Sequence, residues 1–281
     1  MGNQQGGVLF GVDYYPEQWD RSLWDSDARR MKEMGIKAAR LMEFAWVLLE
    51  PREGKYDFSL FDEAIKVLAK EDIKVVLGTP TATFPVWLYE KDPSMVQVHP
   101  SRMERDFGAR REGCYNSDTY RRASKKIVEK IARHYGKNPQ VIGWQIDNEI
   151  GHEGSDLCVC ESCRNKWHRW LKARYASIDA LNRAWGTVFW GTTYASFTQV
   201  PVPRSQVASI QNPSLLLDYY RFCSDSAVSF AGEQVDIIRR HALENQWITT
   251  NLYPAPHGPV IDMAFLPCRS PVHGARGTGW S

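Results

Sequence analysis

Short apolar runs rich in β-branched residues alternate along this chain with amphipathic stretches of helical period. Leu9-Phe10-Gly11-Val12-Asp13-Tyr14-Tyr15 is the first run, followed by a helical pattern from about Ser22 to Met34 that Gly35 ends. Ile36 to Met42 is a second strand candidate. Asp57 or Ser59 then caps a helix to about Lys70, with Leu60, Phe61, Ile65, Leu68 and Ala69 on one face. Ile73 to Thr79 predicts a third strand. Asp118 opens a strongly amphipathic helix that Gly136 closes, and Val141 to Ile146 predicts a fourth strand. A cysteine-bearing insertion and several helices fill 150 to 245, before a fifth strand from Trp247 to Tyr253.

Strands alternating with helices imply a parallel sheet, either an open doubly wound sheet or a (β/α)8 TIM barrel. No glycine-rich phosphate fingerprint follows the first strand, and the glycines between Gly274 and Gly279 sit in a Pro/Gly-rich tail with no helix after them. Polar and aromatic residues cluster just after the strands, where barrel active sites lie, so the barrel is favoured. Five strands can be counted against the eight a barrel needs, and periodicity is lost from about Leu266. The expected organisation is a partial barrel over 1–265, truncated after about five strands, with the insertion near 150–165 and an irregular tail over 266–281. The connection from Pro80 to Asn116 is long and rich in Pro, Trp, Tyr and Arg, which predicts a functional loop.

Aromatic residues make up 12% of the chain, with 11 Trp, and their flat faces suit the apolar C–H faces of sugars. The 35 basic and 33 acidic residues nearly balance, which argues against nucleic acid as a partner. No apolar run has membrane-spanning length, and Met1 to Gly7 shows neither the basic nor the apolar part of a signal peptide. The expectation is a cytoplasmic protein that needs no membrane, whose cysteines are thiols or metal ligands.

Trp144-Gln145-Ile146-Asp147-Asn148-Glu149 carries the sharpest chemistry, because an apolar strand ends abruptly in an amide flanked by carboxylates. A glycosidase needs a carboxylic acid to protonate the leaving oxygen, and a neighbouring amide can hold the sugar 2-OH. The plain alternative is a solvated loop cap. Cys158, Cys160 and Cys163 place three thiols in a C-x-C-x-x-C run, and Cys114 precedes the helix leading into the fourth strand. Four thiolates suit a closed tetrahedral Zn2+ site, structural rather than catalytic; a redox pair or unliganded thiols is the alternative. Cys223 and Cys268 have no partner pattern. His152-Glu153 lacks the second His of a zinc-protease helix.

Three further stretches are more specific: Gly11-Val12-Asp13-Tyr14-Tyr15-Pro16-Glu17-Gln18-Trp19, Arg40-Leu41-Met42-Glu43-Phe44-Ala45-Trp46, and Glu50-Pro51-Arg52-Glu53-Gly54-Lys55-Tyr56-Asp57-Phe58. With the Asn-Glu pair ending the fourth strand, they resemble glycoside hydrolase family 42, the β-galactosidases, from about residue 9 to 265. The resemblance implies a retaining hydrolase releasing terminal β-D-galactose from galactosides or oligosaccharides. Glu149 would be its acid/base, and Asn148, Arg110 and Trp190 its substrate contacts. Arg110 could otherwise be solvated surface beside Arg105 and Arg111, and Trp190 could be core. It also implies structural zinc on Cys114, Cys158, Cys160 and Cys163, no organic cofactor, and a homo-oligomer, since family members form trimers. Arg40 and Glu43 read as groups supporting the pocket rim. In the resembling enzymes the nucleophilic carboxylate follows the seventh strand, so this sequence is expected to lack it. An arabinosidase or endo-glycanase on the same scaffold, or a non-catalytic sugar-binding fragment, are the alternatives.

Overall fold

A computed structural model describes residues 9–206 and 211–252, which carry a five-stranded parallel sheet in the order β1-β2-β3-β4-β5. The strands are β1 (Gly11–Asp13), β2 (Ala38–Leu41), β3 (Lys74–Gly78), β4 (Val141–Gln145) and β5 (Trp247–Thr249). Each pairs in parallel with the next, for example Asp13 with Arg40, Leu41 with Leu77 and Gln145 with Thr249. Consecutive parallel neighbours joined by helical crossovers are the arrangement of a (β/α)8 barrel, of which the described residues supply five strands. The expected strands are all present, each shorter than its apolar run. Tyr253, Cys268, the tail over 266–281 and residues 1–8 lie outside the described residues.

The crossovers are α1 (Trp24–Glu33), α2 (Trp46–Leu49), α3 (Ser59–Lys70), α4 (Val86–Lys91), α5 (Asp118–Tyr135), α6 (Glu161–Arg174), α7 (Ile178–Trp185) and α8 (Pro213–His241). Side chains cap three of them, α5, α7 and α8, while the N-cap of α3 is Phe58, with no side-chain cap bond, rather than the expected Asp57 or Ser59. Ser117 rather than Asp118 caps α5, its hydroxyl accepting from Tyr120 N–H, and Asn212 caps α8 through Ser214 N–H and Leu215 N–H. Gly136 ends α5 for a reason the sequence conceals. Its backbone stays right-handed, but a Cβ there would lie 2.5 Å from the His241 carbonyl oxygen, where α8 ends against α5. The short α2 and α4 escape sequence periodicity because one turn of helix has no period to read.

Two cores result. The larger fills the space between sheet and helices with Leu41, Leu68, Leu77, Ile127, Trp144 and Phe230 among others. Most residues of β2, β3 and β4 are buried against the helices, while Ala38, Arg40, Val76 and Gln145 line an open cavity of about 220 Å³ on the other face. The second core gathers Trp167, Trp185, Tyr219 and Phe222 around Cys114, Cys158, Cys160 and Cys163, so the insertion packs as its own hydrophobic unit.

Gly78 ends β3 where the chain after β2 passes closest. A Cβ at this position would stand 2.7 Å from Glu43 Cβ and 2.8 Å from its Cα, so backbone would have to move. Gly78→Ala should lower the unfolding free energy by about 1–3 kcal/mol. Urea denaturation checks this, and an unchanged midpoint would mean that the β2 end yields freely.

Candidate active site

The candidate site lies beyond the C-terminal ends of the strands. After Gln145 the chain leaves β4 through Ile146, whose N–H still bonds Thr249 O at 2.8 Å, and then turns sharply. Asp147 and Glu149 both adopt left-handed backbone conformations, φ 52° and 50°. Met42, Arg111 and Glu153 do so as well. Non-glycine residues rarely adopt this conformation, and strain of this kind gathers where a site over-determines its backbone. Asp147 and Asn148 are buried, while the Glu149 side chain keeps 22% of its exposure.

Asn148 is held by its oxygen. Its Oδ1 accepts from Asn251 Nδ2 at 2.9 Å and Gln145 Nε2 at 3.3 Å, fixing which way the amide faces. Among the described residues Nδ2 has no acceptor, so a donor is left for a ligand hydroxyl. Asn251, from the segment after β5, also accepts Glu149 N–H at 3.0 Å. One residue thus orients both members of the Asn-Glu pair.

Gln145 is in turn fixed from β1 and β2. Arg40 Nη1 donates to Gln145 Oε1 and its other nitrogens meet Asp13 at 2.8 Å and Glu43 at 2.5 Å. The Tyr15 hydroxyl donates to Glu43 Oε1. Burial pushes the Glu43 carboxyl above the ordinary range, although Tyr15 and Arg40 pull the other way. The expected rim groups Arg40, half-buried, and Glu43, buried, therefore form one ion-paired brace that reaches the Asn148 amide through Gln145.

Glu149 faces two arginines and a histidine. Its Oε2 lies 3.4 Å from Arg111 Nη1, 3.6 Å from Arg110 Nη1 and 3.4 Å from His152 Nδ1. These are longer than good hydrogen bonds, so the interaction is chiefly Coulombic. Glu153 takes the closer contacts, 2.9 Å to Arg110 and 3.1 Å to Arg111. Burial opposes ionisation of Glu153, but the two arginines outweigh it and hold its carboxyl below the usual value. The Arg110 guanidinium also lies over the Phe44 ring, 5.8 Å from its centroid.

The structure therefore brings Glu149, Asn148 and Arg110 together. Trp190 is not in this group: it is exposed, stacks on Phe189 at 4.7 Å and lines a cavity of about 350 Å³ with Trp185 and Tyr194. Sequence reasoning missed Arg111, Glu153 and Asn251. Nothing local marks them, because a buried arginine beside exposed ones reads as surface charge, and Asn251 is remote in sequence from the pair it orients.

The four expected cysteines converge. Cys114 Sγ lies 3.4 Å from both Cys163 and Cys160 and 3.7 Å from Cys158, all four buried. The four sulfurs lie within 4.8 Å of one another and could hold a metal ion. A tetrahedron with Zn–S bonds of about 2.3 Å has sulfur–sulfur edges of about 3.8 Å, so the set fits such an ion. Hydrogen bonding among the four crowded thiols pulls Cys160 far below its ordinary value and pushes Cys114 and Cys163 well above theirs, so a single negative charge is shared in the cluster without an ion. Asn116 N–H, Asn116 Nδ2 and Val98 N–H donate to three of these sulfurs, at 3.3–3.4 Å, and support anionic sulfur.

Known proteins point the same way. The profile of the family 42 glycoside hydrolases, described as β-galactosidase, matches residues 13–266. The β-galactosidase BgaA of Clostridium cellulovorans is 46% identical over 246 residues, covering 88% of this chain and 37% of that protein. BgaA of a Thermus species is 48% identical over 243 residues, 86% of this chain and 37% of its own length. Among solved structures, the β-galactosidase of psychrophilic Marinomonas ef1 superposes with a TM-score of 0.88 at 37% identity, over 92% of this chain and 39% of its own. That of the haloarchaeon Halorubrum lacusprofundi gives 0.88 at 38% identity, over 92% and 38%. The chain thus spans little more than a third of the relatives it matches. With the family profile matching residues 13–266, this chain belongs to glycoside hydrolase family 42.

Proposed function

We propose that this chain carries the acid/base half of a retaining β-galactosidase site, Glu149 protonating the leaving oxygen and then activating water. The single observation behind this reading is the turn after β4, which presents a partly exposed carboxylate beside an amide whose oxygen is fixed and whose donor is open. Asn148 Nδ2 meets the sugar 2-OH, and Arg110 contacts the substrate after leaving part of its hold on Glu153. Trp190 joins as a sugar-facing wall only through a rearrangement or a second copy of the chain, as in a trimer. The retaining route needs a second carboxylate about 5–5.5 Å from the first. Glu43 and Glu153 are each engaged by arginine, and neither is assigned that role. The cysteine cluster takes structural Zn2+ and pins the loop after Glu149 against the segment at Cys114, in a reducing compartment such as the cytoplasm. No organic cofactor is invoked. Among the described residues, no helix is long and apolar enough to cross a membrane.

The test pairs binding with turnover. The 281-residue chain should bind methyl β-D-galactoside, and any hydrolysis of a chromogenic β-galactoside should fall about 10²–10⁴-fold in Glu149→Gln with binding retained. A folded chain that neither binds nor hydrolyses galactosides would overturn the proposal.

A further inference from the structure

The turn that presents Asn148 and Glu149 begins at Asp147, a residue the functional reading leaves without a task. Its side chain is completely buried. Its contacts form a closed hydrogen-bond circuit. Asp147 N–H donates to Thr79 Oγ1 at 2.7 Å, and the Thr79 hydroxyl donates to Gln234 Oε1 at 2.6 Å. Gln234 Nε2 donates to Thr81 Oγ1 at 3.2 Å, and the Thr81 hydroxyl donates back to Asp147 Oδ2. The remaining oxygen, Oδ1, accepts Asn148 N–H at 2.7 Å. The circuit ties the end of β3 and the last third of α8 to the first residue of the turn.

We propose that Asp147 is a positioning residue: its side chain holds the left-handed turn that aims the Asn148 amide and the Glu149 carboxylate at the ligand. Asp and Asn are the non-glycine residues that best tolerate φ near about +50°, because a short polar side chain can bond the adjacent backbone. Here Oδ1 makes that bond to Asn148 N–H, which is otherwise a buried donor without an acceptor. Losing it leaves the turn with the strain and without the compensating contact. Sequence alone offers Asp147 as one more loop carboxylate, since the circuit needs residues from three parts of the chain.

The groups facing Asp147 are few. Thr79 and Thr81 follow β3, Gln234 comes from α8, Arg111 is the cation within Coulombic range, and the phenols of Tyr115 and Tyr120 complete the surroundings. Burial pushes the carboxyl up to about 6, with Thr81, the Asn148 N–H and Arg111 pulling it down. The substitution Asp147→Asn, which puts a neutral amide in place of the carboxylate, can keep the geometry. The amide oxygen would accept Asn148 N–H, and the amide nitrogen would donate to Thr81, whose hydroxyl then turns toward Gln234 Oε1, 3.4 Å away.

The inference rests on the galactoside reading only for what the turn is aimed at, so the test reads the turn separately from the sugar. In the 15N-labelled full chain, Asn148 amide exchange and affinity for methyl β-D-galactoside are measured for wild type, Asp147→Asn and Asp147→Gly. Glycine keeps the left-handed backbone accessible, so loss of fold does not decide the outcome. Asp147→Gly should speed Asn148 exchange about tenfold or more and weaken the galactoside about tenfold, while Asp147→Asn stays within about twofold in both. The Asn148 amide shift should titrate with a midpoint of about 6 in wild type and stay flat in Asp147→Asn, which reads the Oδ1 contact with Asn148 N–H itself. Wild-type exchange and affinity in Asp147→Gly would overturn the proposal. The expected exchange pattern in a chain that ignores galactoside would uphold the positioning role and remove the functional reading instead.

Discussion

Adding Zn2+ to the metal-stripped chain should raise its melting temperature on the order of 10 °C, and Cys114→Ser should abolish the rise. The size follows from linkage. An ion bound by the folded state alone, at free concentrations a thousand-fold above Kd, contributes about 4 kcal/mol. A domain of this size gains roughly 2–4 °C for each kcal/mol. The binding energy itself is larger, about 10–16 kcal/mol for structural zinc in small peptides, because the ligands there are disordered without the ion. In this chain Trp167, Trp185, Tyr219 and Phe222 surround the four sulfurs, so part of the order comes from packing. Loss of the ion should be felt at the candidate site. Val98 N–H bonds Cys158 Sγ at 3.4 Å and Val159 N–H bonds Val98 O at 2.7 Å, joining the cysteine loop to the segment that leads to Arg110 and Arg111. Differential scanning calorimetry with and without zinc checks this. An identical melting temperature, together with four freely reactive thiols in the native chain, would show that the cluster holds no ion.

Asp147→Asn should make the chain more stable than wild type above about pH 6 and no more stable at pH 4. Burial raises the Asp147 carboxyl from 3.8 to about 6, so the folded chain keeps a proton that the unfolded chain has already released. Stability therefore falls as pH rises through that window and stays lower above it, the reverse of the ordinary salt-bridged carboxylate. Two units of difference amount to about 3 kcal/mol, a net figure in which the bond from Thr81 already opposes burial. Urea denaturation of both proteins at pH 4 and pH 7.5 reads the difference directly. A variant less stable than wild type at pH 7.5 would mean that Thr81 and Arg111 stabilise the ionised carboxylate more than burial opposes it.

Much of this protein was legible before any coordinates. The alternation of apolar runs and amphipathic stretches determines a parallel β/α order, because strands buried against helices must be largely apolar and crossover helices must be two-faced. Abrupt polarity at the end of β4 marks Asn148 and Glu149, since only a site or a loop needs such groups at a strand tip. The spacing of Cys158, Cys160 and Cys163 marks a sulfur cluster, because so tight a run brings three thiols within reach of one ion. These are local signals, written in neighbouring residues.

What tertiary structure decided is contact between distant segments. It made Asn251 the residue that orients both Asn148 and Glu149, and it turned Arg40, Glu43 and Tyr15 into a brace acting through Gln145. It separated Arg111, buried, from its partly exposed neighbour Arg110, though the two are indistinguishable as adjacent letters. It left Trp190 lining a cavity to which Glu149 does not contribute. And it closed the circuit through Thr79, Thr81 and Gln234 around Asp147. A side chain's charge state and direction depend on what folding packs against it, and those partners lie many residues away along the chain.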